Sequence, residues 1–148
     1  MYRKVKQKQV KKFELNKERE NIMKMLQKSA VMRGTDNMVI KEIPVPQIKD
    51  KEVLVSLEYV GICGSDVHYY HNGCCGAYKV DLSEDFMLGH ECAGTIVEVG
   101  KEVEKLKVGD RVALEPGITC GKCEFCKSGH YNLCPNVVFL ATPPVQGC

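Results

Sequence analysis

Thr95-Ile96-Val97-Glu98-Val99-Gly100, with Lys107-Val108-Gly109-Asp110-Arg111-Val112-Ala113-Leu114 shortly after it, decides the fold class. The first run reads as a β-strand closed by glycine. The second reads as a turn at Val108-Gly109-Asp110 leading into another strand from Arg111 to Leu114. Upstream, Val53, Val55, Leu57 and Tyr59 alternate with Leu54, Ser56 and Glu58, the pattern of a half-buried strand, and Gly61 and Gly64 end it. Met38 to Glu42 alternates weakly before Pro44 and Pro46 break it, and the β texture as a whole begins near Ser29. Short strands between glycine turns, without a long helical pattern or an internal repeat, predict a mainly β domain built as a small barrel.

The chain has 148 residues, enough for one domain with a real core, and its 44% apolar and 27% charged content is globular. No apolar run is long enough for a membrane span, and the first residues lack the apolar h-region expected of a secretory signal. The net charge of +2 is unevenly spread: residues 1–28 hold ten Lys/Arg against three Asp/Glu, and the remainder holds eleven against sixteen. The acidic remainder argues against a nucleic-acid or phosphate-binding face. Residues 1–24 read as a basic, solvated tail, with nucleic-acid or acidic-surface binding as the functional alternative; a second idea takes them as sequence upstream of a true start at Met23 or Met25. Detecting a native peptide from Tyr2 to Glu14 would end the second idea.

Nine cysteines form an odd set without a leader, which speaks for a reducing, cytoplasmic setting rather than a disulfide scaffold. Four of them, Cys120-x2-Cys123-x2-Cys126-x7-Cys134, have the spacing of a closed structural zinc site. Two-residue gaps let a tight turn bring successive sulfurs to one ion, and Gly121 and Gly129 relieve the backbone there. The rival is an iron–sulfur cluster, but the last gap and the absence of a second cysteine run depart from the ferredoxin pattern.

A second set lies upstream, in Gly61-Ile62-Cys63-Gly64-Ser65-Asp66-Val67-His68-Tyr69 and Gly89-His90-Glu91. Cys63, His90 and Glu91 are all zinc-ligand types, and three protein ligands would leave a position open for water or substrate. His90 and Glu91 are neighbours, so both reach one ion only from a turn or bulge of the kind Gly89 permits. Asp66 is placed to hold the far nitrogen of His90. Taken singly, each of these residues has an ordinary structural role as its alternative.

These runs, with Leu88-Gly89-His90-Glu91-Cys92-Ala93-Gly94, Ala113-Leu114-Glu115-Pro116-Gly117, Tyr131-Asn132-Leu133-Cys134-Pro135 and Phe139-Leu140-Ala141-Thr142-Pro143-Pro144, make the chain resemble the zinc-dependent medium-chain alcohol dehydrogenases. The branch it resembles most is that of the sorbitol (polyol) dehydrogenases, from about Ser29 to Cys148. The resemblance implies a GroES-like barrel over residues 25–148, forming an incomplete catalytic domain with a zinc-bound loop lobe. It implies Cys63, His90 and Glu91 as ligands of a catalytic zinc, and the four lobe cysteines as ligands of a structural zinc, two ions per chain. Ser65 and His68 would serve the proton relay, and Tyr69, Phe139 and Thr142 the polyol pocket. The implied reaction oxidises a small polyol or secondary alcohol to a ketone, with hydride passing to NAD, in an enzyme that is a homo-oligomer at full length.

The Gly-x-Gly-x-x-Gly unit of a dinucleotide-binding domain is not found in these 148 residues. The chain therefore reads as the first part of such an enzyme, inactive alone, and its Pro-Pro-Val-Gln-Gly-Cys ending reads as a cut. The alternatives are a stand-alone zinc-binding module without catalysis and an iron–sulfur or other redox protein. Cys74 and Cys75 read as loop thiols, and Cys92 as a small core residue.

Overall fold

The computed structural model describes residues 26–148, so the basic tail expected at residues 1–24 lies outside the described residues. The expected strands form, and antiparallel pairing divides most of them between two three-stranded sheets. In the first, β1 (Leu26–Gly34) makes a hairpin with β2 (Asn37–Pro44) and pairs on its other side with the short β6 (Phe86–Met87). In the second, β3 (Val53–Gly61) pairs with β7 (Glu91–Val99), and β8 (Arg111–Ala113) adds to the other edge of β7. Val31, Met32 and Ile96 are buried from the two sheets. The Lys41 ammonium and Arg33 guanidinium clamp Asp85, in the loop before β6, and hold its carboxyl below the usual carboxylate range.

Two features depart from the expected pattern. β3 does not keep one buried face throughout: its pairing with β7 shifts at Leu54/Val55 and again between Leu57 and Tyr59, and Leu57 and Tyr59 are exposed. Each irregularity interrupts the period of two on which the alternation rests. The outward Leu57 and Val60 join Ile62 and Val67 around a cavity of about 1030 Å³.

The second departure is α1 (Gly64–Asn72), a helix whose residues carry no clear apolar stripe. Its ends and one anchor hold it. The Asp66 carboxylate accepts the Cys63 amide at 2.9 Å, the reach-back of a capping box. The Gly73 amide closes on the Tyr69 carbonyl at 2.8 Å, and the Tyr69 side chain is buried against Val80 and Phe86. A ribbon of β4 (Cys74–Cys75) and β5 (Tyr78–Lys79) follows. Beyond β8, β9 (Gly117–Ile118) pairs with β10 (Val138–Phe139), and a lobe with the short helix α2 (Glu124–Lys127) projects between them.

Candidate metal centre

Two groups of side chains among the described residues could hold a metal ion. The first is the lobe. β9 and β10 close its base, and the backbone turns at Gly121 (φ 68°) and Gly129 (φ 83°), as the cysteine spacing predicts. The sulfurs of Cys123 and Cys126 lie 3.4 Å apart, and those of Cys120 and Cys126 lie 3.9 Å apart. A tetrahedral zinc with sulfurs at about 2.3 Å has edges of about 3.8 Å, so the donor set fits one such ion. A cluster of several irons would hold the sulfurs further apart.

Backbone amides support the sulfurs. Cys123 N–H points to Cys120 Sγ at 3.4 Å, Cys126 N–H to Cys123 Sγ at 3.5 Å, and Cys120 N–H to Cys134 Sγ at 3.5 Å. Hydrogen bonds from the amides of Lys122 and Cys123 bring the Cys120 thiol down to about 6. The Cys126 amide also donates to Cys123, yet burial and the neighbouring Cys126 and Cys120 sulfurs push that thiol up to about 11. Four thiolates this close repel one another, and a divalent cation removes that repulsion.

The second group joins two distant segments. Cys63 lies just beyond β3, and His90 just before β7. The Gly61–Glu91 pair at the end of the ladder brings them together. Gly89 takes φ 93°, a left-handed turn that lets the adjacent His90 and Glu91 face one point. Cys63 Sγ is 3.3 Å from His90 Nε2, and the ligand atoms of Cys63, His90 and Glu91 all lie within 4.8 Å of one another. Thiolate, imidazole and carboxylate are zinc donors, so residues and spacing fit a three-ligand ion with one open position.

Asp66 organises this group. Its side chain is buried, and it accepts the Cys63 amide through Oδ2 and the Gly89 amide through Oδ1 at 3.2 Å, tying both ligand-bearing segments together. Among the described residues, His90 Nδ1 is buried without a hydrogen-bond partner and stands 3.7 Å from Asp66 Oδ1. The expected pairing of Asp66 with the far His90 nitrogen is thus approached to just beyond hydrogen-bond length.

The remaining expected residues divide. Ser65 Oγ is 3.0 Å from Cys63 Sγ, beside the triad. His68 is exposed on α1, with no hydrogen bond or ion pair to the triad among the described residues. Phe139 sets its ring edge-on to His90, centroids 5.5 Å apart. Burial raises the Tyr69 hydroxyl above the ordinary tyrosine range, and Thr142 offsets part of that rise. Cys92 is buried, as expected, and burial with the neighbouring Cys148 pushes its thiol up to about 12. Cys74 and Cys75 pair in the β4–β5 ribbon rather than lying in an irregular loop.

Sequence reasoning missed the brace behind His90. The Gln146 side-chain carbonyl accepts the Met87 amide at 2.7 Å. Gly147 N–H reaches Met87 O at 2.8 Å, and Cys148 N–H reaches Gly89 O at 2.9 Å. The stretch has neither periodicity nor ligand spacing, so no local signal marks it.

The family model described as the alcohol dehydrogenase GroES-like domain matches residues 49–148. The sorbitol dehydrogenase of Bacillus subtilis (strain 168) is 60% identical over 120 residues, covering 81% of this chain and 33% of that protein. The chain thus spans about a third of the length of the curated relatives it matches. An Escherichia coli oxidoreductase/dehydrogenase of unknown specificity involved in membrane biogenesis aligns with TM-score 0.75 and 47% identity, over 84% of this chain and 36% of its own. Galactitol-1-phosphate dehydrogenase from Escherichia coli aligns with TM-score 0.72 and 32% identity, over 82% of this chain and 34% of its own. The family model covers more than half of the chain, including the segments that carry both groups of side chains: the chain belongs to the alcohol dehydrogenase GroES-like domain family.

Proposed function

We propose that this chain is the metal-holding part of a zinc-dependent dehydrogenase that oxidises a small polyol or secondary alcohol to a ketone and passes hydride to NAD. One observation carries the proposal: Cys63, His90 and Glu91 converge within 4.8 Å, apart from a second, four-cysteine group that has no room for substrate. The first group would hold an ion with an open position, the second a closed ion, two zincs per chain. In the open site zinc supplies Lewis acidity, lowering the pKa of a bound hydroxyl as it lowers that of water to about 7.

The chain's own groups supply the rest. Asp66 fixes the two segments that carry the ligands. Ser65, 3.0 Å from Cys63 Sγ, is placed to take the substrate proton. His68, one turn further along α1 and exposed, continues that path towards water. Phe139, edge-on to His90, is proposed to wall the site, and Tyr69 and Thr142 are proposed to complete the polyol pocket. Five of the nine cysteines fall in the two metal groups, which supports a reducing, cytoplasmic setting. Hydride acceptance needs a dinucleotide site that these residues do not contain, so the chain alone is expected to be inactive. The complete enzyme is proposed as a homo-oligomer.

The test is a chimera in which this chain replaces the matching third of the Bacillus subtilis sorbitol dehydrogenase. It should form NADH with polyols, and Cys63→Ser should abolish that while leaving zinc in the lobe. A folded chimera with two zincs that oxidises no polyol or secondary alcohol would refute the proposal.

A further inference from the structure

Gly61 lies at the end of β3, opposite Glu91. A glycine weakens a strand relative to alanine, so it needs a reason. Backbone conformation is not that reason, because Gly61 is not among the glycines with positive φ. The space where its side chain would stand supplies one. A Cβ there would lie 2.6 Å from Glu91 Oε2, 3.0 Å from Glu91 Cβ and 3.4 Å from the Glu91 carbonyl oxygen. The closest of these atoms is the very carboxylate oxygen at the end of the third ligand.

We infer that Gly61 is a positioning residue for the open metal site: its missing side chain is the space through which the Glu91 carboxylate folds across the end of β3 towards Cys63 and His90. The inference rests on the open-site reading proposed above. Glu91 is exposed, and its side chain is flexible enough to swing away from an added methyl group. An alanine at position 61 is therefore accommodated by the fold at the expense of the ligand. This separates Gly61 from Gly94, where the atom in the way is backbone.

The test uses the 148-residue chain loaded with cobalt(II), whose absorption distinguishes a four-thiolate site from a mixed thiolate–imidazole–carboxylate site. Gly61→Ala, Glu91→Ala and the double variant are titrated against a chelator. Gly61→Ala should weaken the open site by about tenfold to a hundredfold with the lobe bands unchanged. The double variant should bind no more weakly than Glu91→Ala alone, because both changes remove the same ligand. Unchanged open-site affinity in Gly61→Ala, losses that multiply in the double variant, or lobe bands lost in Gly61→Ala would each overturn the inference. A wild-type chain that takes cobalt only in the lobe would instead overturn the open-site reading, and the inference with it.

Discussion

Replacing Asp66 with alanine should loosen both ligand-bearing segments at once. The carboxylate is 5% exposed and accepts two backbone amides. The Gly89 amide is buried, and a hydrogen bond to a charged acceptor is worth about 1.5–3 kcal/mol. The Cys63 amide is only part-buried and opens α1, where losing the capping contact costs about 1 kcal/mol. Removing the carboxylate also removes the cost of burying it, which offsets part of the loss. The net expectation is about 2–3 kcal/mol, read from the urea midpoint at fixed free zinc so that metal linkage does not vary. Asp66→Asn keeps an acceptor for one amide and turns a donor on the other, so it should lose roughly half as much. Both variants should release open-site zinc more readily than lobe zinc. An alanine variant within about 0.5 kcal/mol of wild type, or one that lost lobe zinc first, would refute the bracing role.

Other perturbations address separate parts of the molecule. Cys134→Ser should reduce bound zinc from two ions to one and unfold the lobe while Cys63, His90 and Glu91 still bind metal. Retained lobe metal by elemental analysis would contradict the four-thiolate assignment. In the metal-stripped chain, Cys120 should be alkylated at a rate that rises as pH passes about 6, while Cys92, pushed up to about 12, stays unmodified at neutral pH. The depressed Cys120 value means that its thiolate stabilises the lobe most fully above the ordinary thiol range and ceases to do so as pH falls through about 6. Peptide mapping by mass spectrometry checks the order, and equal labelling of the two would refute it. Gly94→Ala should prevent folding at a cost of more than about 3 kcal/mol, because its Cβ would overlap the Ser56 carbonyl oxygen where β3 and β7 pair. A soluble, zinc-replete Gly94→Ala chain would show that this close approach yields.

What could be read from the sequence follows the range of the forces involved. The convergence of the four lobe cysteines was legible, since they lie within one short loop and thiolate spacing is a local signal. The strands at 53–61, 91–99 and 111–113 were legible from glycine punctuation and alternation, although the irregular β3–β7 register put Leu57 and Tyr59 in solvent. α1 was not, because Gly64 to Asn72 is held by its ends and by Tyr69 rather than by an apolar stripe. The exchange between the Cys63 amide and Asp66, followed by Gly73, was the available sign. Residue type marked Cys63, His90 and Glu91 as candidate ligands, but their joining into one site came from resemblance, since nothing local links Cys63 to a His-Glu pair 27 residues away. Only the Gly61–Glu91 pairing does so.

That difference in reach has a consequence for how the molecule assembles. The lobe closes a loop of 14 residues between Cys120 and Cys134, whereas the open triad closes one of 27 residues and also needs a completed ladder. A chain that has lost its sheets can still wrap four thiolates around an ion, but it has no triad to offer. On the two-zinc reading the lobe is expected to form around metal by itself, and the open site to become a gauge of finished tertiary structure. On denaturation the two ions should leave in separate steps, the first together with the β-sheet signal and the second after it.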